Sequence, residues 1–377
     1  MTSPEQHLTP EEQLRYSRQI SVAGFGLEGQ LKLKSSRVTI IGAGGLGCPI
    51  GIYLAAAGVG FISVVDHDLV ELSNIHRQTA FKATDIKKPK AQTLVDTMRS
   101  INPDLHYQYH NACLGEDNAQ ALLKDQDLVI DGTDNFPSKF LIADSCHSLG
   151  VPLLHGSVHQ FSAQVILFDH ANGPCLRCLY NQPPTLGPLA ACDQAGVLGP
   201  VAGTVGMLMA SEAVKFLSGM KCPTIHNLIK YDALKQSIQI FALENDPACP
   251  FCGKFREARA ISNQRCVSSE RSNSEQCHED GTISIQRAQQ LISQGAFVLD
   301  VREPSELVLG SLPDAALIPL ARLPEELALR VPLDKPIVVY CQHGVRSLAA
   351  VNYMRTAGYQ RSYSIAGGFA AWPQCTS

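Results

Sequence analysis

Apolar and polar positions alternate along this chain in a rhythm that changes once. From Arg37 to about Tyr231, short apolar runs (VTIIGAG, FISVVD, DLVIDGTDN and VPLLHGS) are separated by stretches of helical length. Such runs suit strands buried on both faces, and their alternation with helical segments predicts a parallel, doubly wound α/β sheet. Two later runs, IHNLIKYDA and SIQIFAL, lie close enough together for an antiparallel hairpin. The helix-patterned TVGMLMASEAVKFLSG precedes them, with Met207 and Met209 read as packing residues. Residues 254–280 are polar and aperiodic, the signature of a linker. Order then resumes with ISIQRAQQLI (helix), AFVLDVRE (strand, turn), PIVVYCQHGVRS (strand, loop, helix start) and a GGFAAW ending. The expected organisation is a large α/β domain over residues 1–253, a linker over 254–280 and a small α/β domain over 281–377.

Composition narrows the partners. Thirty-one Lys and Arg nearly balance 35 Asp and Glu, for a net charge of -4. No global basic field exists to hold nucleic acid or an anionic membrane, so neither is an expected partner and any bound anion must be held locally. The stretch Val38 to Val65 is uncharged and long enough to span a bilayer, but seven glycines and Pro49 interrupt it, which suits strand, turn and helix instead. The opening MTSPEQHLTPEEQLRYSRQ is polar and acidic, unlike a secretory or transit peptide, and a cytoplasmic location is expected. Thirteen cysteines in 377 residues are too sparse for a disulfide scaffold; in a reducing compartment they read as metal ligands, reactive thiols or core residues.

The first apolar run leads into Gly42-x-Gly44-Gly45-x-Gly47 and then a helix beginning near Cys48. The glycines permit a tight turn and close phosphate approach, and the helix terminus supplies N–H groups and a positive dipole end. Asp66, at the end of the next strand, is placed to bind ribose hydroxyls. A NAD-dependent oxidoreductase would show the same glycines and acid. Asn74, Arg77, Lys90 and Asp134 come from segments that should meet at the carboxyl ends of the strands. Two cations, an amide and a carboxylate suit a nucleoside triphosphate with Mg²⁺ better than a nicotinamide.

RYSRQI, GAGGLG, DHDLVELSNIHRQ, KPK and DGTDN, in this order, resemble the MoeB/ThiF branch of the ubiquitin-activating-enzyme-like family, from about Leu14 to Gly253. The resemblance implies a Rossmann-like ATP-binding domain in which Gly42, Gly44, Gly45 and Gly47 bind ATP and Asp66 holds the ribose. It further implies that Asn74, Arg77 and Lys90 bind and polarise the phosphates and that Asp134 holds Mg²⁺. Arg18 matches an arginine that the family delivers from a partner subunit, which implies a homodimer. The implied reaction is adenylation of the C-terminal Gly-Gly carboxylate of a ubiquitin-like sulfur-carrier protein. Cys192, in AACDQAGVLGP, matches a crossover-loop cysteine that can form a thioester or acyl disulfide with the carrier; a dispensable loop thiol is the other reading.

Cys175-Leu-Arg-Cys178 and Cys249-Pro-Phe-Cys252 are two CxxC knuckles, each able to give two thiolates to one tetrahedral Zn²⁺. A redox CxxC would stand alone near a helix start. Four thiolates close the coordination sphere, so the ion would be structural. The MoeB/ThiF resemblance implies the same zinc site.

Cys341 follows the strand PIVVY and precedes Gln342-His343-Gly344-Val345-Arg346-Ser347. Backbone N–H groups, a helix terminus and Arg346 can all favour an anionic sulfur there. With LDVREPSE before it and GGFAAW after it, this loop resembles a single-domain rhodanese over about Gly281 to Trp372. The resemblance implies a transferable persulfide on Cys341, with Arg346 in an anion-cradling loop. A cysteine-dependent phosphatase has five residues between Cys and Arg; here there are four, a ring sized for sulfur. The chain departs from the rhodanese Gly-His-Ile-Pro-Gly-Ala segment at Gly310-Ser311-Leu312-Pro313-Asp314-Ala315.

The combined expectation is an enzyme, an adenylyltransferase and sulfurtransferase, that activates a carrier with ATP and converts it to a thiocarboxylate. The sulfur donor would be thiosulfate or a cysteine desulfurase. The end product, such as molybdopterin or thiamin, stays open. A NAD-dependent oxidoreductase and a non-catalytic zinc scaffold for sulfur carriers are the alternatives. The first leaves the Cys341 loop unexplained; the second leaves Arg77, Lys90 and Asp134 without purpose.

Overall fold

The computed structural model describes residues 7–169, 173–180, 196–249, 251–253, 281–342 and 344–372. The described chain falls into two compact units, one up to residue 253 and one from residue 281.

The first unit is built on an eight-stranded sheet. In chain order its strands are β1 (Arg37–Ile41), β2 (Phe61–Val65), β3 (His106–His110), β4 (Leu128–Asp131), β5 (Leu153–His159), β6 (Ser162–Phe168), β7 (Asn227–Asp232) and β8 (Ser237–Ala242). The spatial order is β3-β2-β1-β4-β5-β6-β7-β8. The five from β3 to β5 are parallel, and β6, β7 and β8 continue the sheet antiparallel. The four central apolar runs and the hairpin lie where the pattern puts them, and β3 and β6 extend the sheet beyond those runs.

Strand alternation explains why the apolar runs are continuous. Val38 and Ile40 of β1, Ile62 and Val64 of β2 and Leu128 and Ile130 of β4 pack on one face, with the helices Gly47–Ala57, Lys90–Ile101 and Gly199–Ser218. Ile41, Val65 and Val129 point to the other face, against Glu116–Leu123 and Phe136–Leu149. Each strand is thus buried on both sides, as a sheet covered by helices on both faces requires. The helix Gly199–Ser218 is long and apolar enough to cross a membrane. Here it is a core helix: Val205, Met209 and Ala213 are buried in the first cluster, while Met207 is exposed.

The second unit is a parallel sheet of β9 (Thr282–Ile283), β10 (Phe297–Asp300), β11 (Ala316–Leu317), β12 (Ile337–Tyr340) and β13 (Ser362–Ile365), in the order β11-β10-β12-β13-β9. Leu299 and Val339 pack on one face, with Ala350 and Met354 of the helix Val345–Thr356. Val298, Val338 and Tyr340 pack on the other, with Leu291 of the helix Ile285–Ser293. Both sheets therefore place a strand end, a loop and a helix start where the sequence carries its chemistry.

Candidate functional site

In the first unit, β1 ends at Ile41 and the helix Gly47–Ala57 begins at once, so Gly42 to Leu46 must turn within five residues. Gly47 has no room for a side chain, since a Cβ there would lie 1.9 Å from the Gly42 carbonyl oxygen. The turn leaves the N–H groups of Gly44, Gly45 and Leu46 without a partner among the described residues, a cradle for an anion at the positive end of a helix. Asp66 fixes the rim, its carboxylate accepting from Ala43 N at 2.7 Å and Asp68 N at 2.8 Å. Burial pushes its carboxyl above the ordinary range, against the opposing pull of Lys90.

The segment from Leu72 to Gln78 lies over the glycine turn. A Cβ on Gly45 would stand 3.7 Å from Arg77 Cγ, and one on Gly44 would stand 3.9 Å from Gln78 Nε2. Arg77 Nη1 donates to the Ser73 carbonyl at 2.9 Å and lies 2.9 Å from His76 Nε2. Arg77 makes no ion pair among the described residues. Asn74 is buried, and its Oδ1 has no hydrogen-bond partner among the described residues; the same holds for Gln78 and its Oε1. Buried acceptors are normally satisfied, so these two amides beside the turn are suited to a ligand's donors. Lys90 is buried at the start of its helix, and its Nζ reaches Asp68 Oδ2 at 2.8 Å. The fold thus brings Gly42, Gly44, Gly45, Gly47, Asp66, Asn74, Arg77 and Lys90 to one end of the sheet. Gln78 was not singled out from sequence, although it directly follows Arg77.

Asp134 lies three residues past β4, exposed on the loop before the helix Phe136–Leu149. That loop abuts the glycine turn, because a Cβ on Gly132 would be 3.2 Å from Gly42 O and 3.3 Å from Gly47 N. A free carboxylate there suits a hard cation that keeps waters and phosphate oxygens as its other ligands. Arg18 stands exposed on the short helix Ser17–Ile20 and makes no ion pair among the described residues. Cys192 lies outside the described residues.

Beneath the same loop is a charged cluster that sequence reasoning did not anticipate. Asp131, fully buried at the end of β4, accepts from Lys139 Nζ at 3.1 Å, Thr133 N at 2.9 Å and Thr133 Oγ1 at 2.6 Å, and lies 2.7 Å from His155 Nδ1. Lys139 also donates to the Gly156 carbonyl at 2.8 Å. Burial alone would raise the Asp131 carboxyl, but Lys139 and His155 hold it well below the carboxylate range. Burial, reinforced by Lys139, holds the His155 imidazole below its ordinary value, against the opposing pull of Asp131. The first Asp of DGTDN is therefore a structural anion that ties β4, β5 and the loop bearing Asp134 together.

The two CxxC knuckles converge. Cys175 Sγ lies 3.7 Å from Cys249 Sγ and 4.0 Å from Cys178 Sγ, Cys178 Sγ lies 3.2 Å from Cys252 Sγ, and all four sulfurs fall within 4.8 Å of one another. Thiolates at about 2.3 Å from a tetrahedral Zn²⁺ are roughly 3.8 Å apart, so the cluster is compatible with a zinc site. Without a metal, burial and the neighbouring sulfurs push the Cys252 thiol up to about 12. Arg177, inside the first knuckle, forms a bidentate pair with Asp144 at 2.9 and 2.7 Å and lies over the rings of Phe140 and Phe251. It fixes the knuckle to the helix Phe136–Leu149 and places a positive charge beside the thiolates.

In the second unit, Cys341 directly follows β12 and is buried. Gly344 N donates to its Sγ at 3.2 Å, and Ser347 Oγ lies 3.6 Å away. The GGFAAW segment clamps the loop from behind, with Phe369 N donating to Cys341 O at 2.7 Å and Ala370 N to Gln342 O at 2.9 Å. Gly368 is required for this approach, since a Cβ there would lie 2.3 Å from Cys341 O. Arg346 does not stand free: it is paired with Glu306, on the segment Pro304–Leu309. That pair lowers the Glu306 carboxyl against the opposing effect of burial, and raises the Arg346 guanidinium. Arg302 is fully buried on Asp300 and reaches Gln342 Oε1 at 3.2 Å and the Gly310 carbonyl at 2.8 Å. Arg302 and Glu306, both in the DVREPSE stretch, thus support the loop; their identity was visible in the sequence and their partners were not.

Residues 16–251 match the ThiF family and residues 284–375 match the rhodanese-like domain. A probable adenylyltransferase/sulfurtransferase MoeZ of Mycobacterium tuberculosis is 35% identical, over 99% of this chain and 95% of that protein. An adenylyltransferase and sulfurtransferase MOCS3 of Arabidopsis thaliana is 34% identical, over 99% and 86%. A sulfur carrier protein adenylyltransferase of Thermus thermophilus is 42% identical over 65% of this chain and 92% of that protein. Among solved structures, Escherichia coli MccB in complex with MccA-N7isoASN shares the fold at a TM-score of 0.57 and 20% identity, covering 66% of this chain and 76% of that one. The chain belongs to the ThiF family and carries a rhodanese-like domain after its ThiF domain.

Proposed function

We propose that this protein adenylates the C-terminal glycine of a ubiquitin-like sulfur carrier and then converts the acyl-adenylate to a thiocarboxylate with sulfur held on Cys341. The carrying observation is that one chain has both a glycine-turn crevice with two cations and a carboxylate, and a buried cysteine on a strand–loop–helix junction whose sulfur accepts from the Gly344 N–H, with the Ser347 hydroxyl 3.6 Å away. Full-length relatives named for both activities support the same reading.

The crevice chemistry follows from charge. A carboxylate approaching the α-phosphorus is repelled by the triphosphate, so Arg77, Lys90 and the N–H groups of the glycine turn offset charge on the phosphoryl oxygens and on departing pyrophosphate. Asp66 takes the ribose hydroxyls and Asn74 and Gln78 supply amides, while Asp134 would hold Mg²⁺, which shields the phosphates when bound. Arg18 serves the neighbouring crevice of a homodimer. The four cysteines would hold zinc, whose closed shell stabilises the fold and takes no part in the reaction.

In the second step the Cys341 persulfide attacks the acyl carbon and AMP leaves, giving an acyl disulfide. A second thiol attacks Cys341 Sγ, releases the carrier thiocarboxylate and leaves a disulfide for cellular thiols to reduce. Cys192 is the candidate for that thiol. The setting is cytoplasmic.

ATP–pyrophosphate exchange tests the first half. Exchange should require a carrier ending in Gly-Gly and should fall by about 10²-fold or more in Asp134→Asn. Exchange that ignores the carrier, or that is unchanged in this variant, overturns the assignment.

A further inference from the structure

The cation that an inorganic anion would use beside Cys341 is already occupied. Arg346 Nη1 donates to Glu306 Oε2 at 2.6 Å and Nη2 to Glu306 Oε1 at 2.5 Å, a bidentate pair. The two side chains are only 16% and 23% exposed, so solvent screens the pair less than a surface contact. Glu306 is itself anchored, because its Oε2 also accepts from Glu303 N at 2.9 Å. Glu303 adds a second carboxylate to the field at Arg346. Arg302 is held by Asp300 and, among the described residues, meets the loop through the neutral amide of Gln342. Among the described residues around this loop, two arginines stand against three carboxylates, Asp300, Glu303 and Glu306.

We propose that Glu306 determines the sulfur donor: by neutralising Arg346 it makes Cys341 take sulfur from an alkyl persulfide, R–S–S⁻, in preference to thiosulfate. This inference rests on the sulfur-transfer reading above. In the step, the Cys341 thiolate attacks the outer sulfur of the persulfide. An S–S bond forms to Sγ, the original S–S bond breaks with its electron pair, and R–S⁻ leaves; no oxidant or reductant is consumed. Thiosulfate undergoes the same displacement but brings two negative charges to a thiolate and expels sulfite. Its transition state therefore needs an uncompensated cation, and Glu306 removes it. The arrangement discriminates by repelling the wrong donor, not by adding a contact to the right one. A small-thiol persulfide and a protein-borne one share this chemistry.

The test loads the full-length protein with thiosulfate, with glutathione persulfide, or with a persulfide on a cysteine desulfurase, and follows the 32-dalton sulfur gain of the protein by intact mass. Wild type should load from either persulfide at least about tenfold faster than from thiosulfate, and Glu306→Gln should raise the thiosulfate rate by about tenfold with less than about threefold change for glutathione persulfide. Whichever persulfide is faster supports the proposal and names the source. Wild type loading equally fast from thiosulfate, or both donors shifting together in Glu306→Gln, overturns it. Because Glu306 also caps its own segment, Glu303→Gln serves as a second variant and should shift the donor ratio in the same direction by a smaller factor; no shift there in a folded protein, judged by its thermal midpoint, also counts against the proposal. Cys341→Ala separates the two levels: sulfur gain that persists in this variant sinks the sulfur-transfer reading itself, whereas its loss together with an unchanged donor ratio in Glu306→Gln sinks only the role of Glu306.

Discussion

The nucleotide crevice and the Cys341 loop have the same local architecture but spend their cations differently. Each is a buried strand that ends in a short loop and restarts as a helix, β1 into Gly47–Ala57 and β12 into Val345–Thr356. In the crevice, Arg77 donates to a neutral carbonyl and approaches an imidazole, so its charge is still available to a ligand. In the loop, Arg346 is fully matched by Glu306. Lys90 lies between these cases, buried but paired with the half-exposed Asp68. An arginine in a motif is therefore not a free charge until its partners are known. The unmatched field suits a highly charged triphosphate, and the matched one suits sulfur carried with little charge.

Cys341 separates the two sites most completely. Cys341→Ala should abolish carrier thiocarboxylate formation while ATP–pyrophosphate exchange continues at the wild-type rate; loss of both would mean that the sites are not chemically separate. Next in size, Arg77→Ala should lower carrier adenylation turnover by about 10²- to 10³-fold, beyond any rise in the KM for ATP, because its charge acts on the transition state. A pure KM effect would place Arg77 in ground-state binding alone.

Beneath the crevice, Asp131 is matched by Lys139 and His155. Asp131→Asn leaves Lys139 buried without its anion and should cost roughly 3–5 kcal/mol in denaturant unfolding. The smallest effect concerns His155. Burial in the fold holds its imidazole below the ordinary value of 6.5, whereas the unfolded chain takes up a proton as pH falls through that value. More protons on the unfolded state mean that stability falls as pH drops from 7 towards 5, by at most about 1.4 kcal/mol per pH unit from this group. His155→Gln should flatten that slope. The Asp131 carboxylate has the same sign in a lower window: its contribution is present above about pH 4 and fades as pH falls through the depressed native value.

What was legible in the sequence was what is local. The glycine turn, the apolar strands, the two CxxC knuckles and the strand–Cys–helix junction each lie within a few residues, and their physics needs no knowledge of tertiary partners. The strand β3 reads HYQYH and is only partly buried at the sheet edge, so it lacks the continuous apolar run of an interior strand. The strand β6 runs antiparallel to β5 and so falls outside the βα alternation that marks the parallel strands. The Asp131 cluster joins residues from β4, from the next helix and from β5, and the Glu306–Arg346 pair spans 40 positions. Charge compensation is a property of such long-range pairs, which is why Arg346 reads as a free cation in sequence and as a neutralised one in the fold.

One chain joins an ATP-driven activation to a sulfur transfer. The direct measurement is the intact mass of a Gly-Gly-terminated carrier incubated with the full-length protein, Mg-ATP and a persulfide donor. A gain of about 16 daltons, oxygen replaced by sulfur, that requires ATP and disappears in Cys341→Ala is the predicted result. A carrier that reaches the acyl-adenylate but gains sulfur equally well with Cys341→Ala, or that gains none with the wild-type chain, would contradict it.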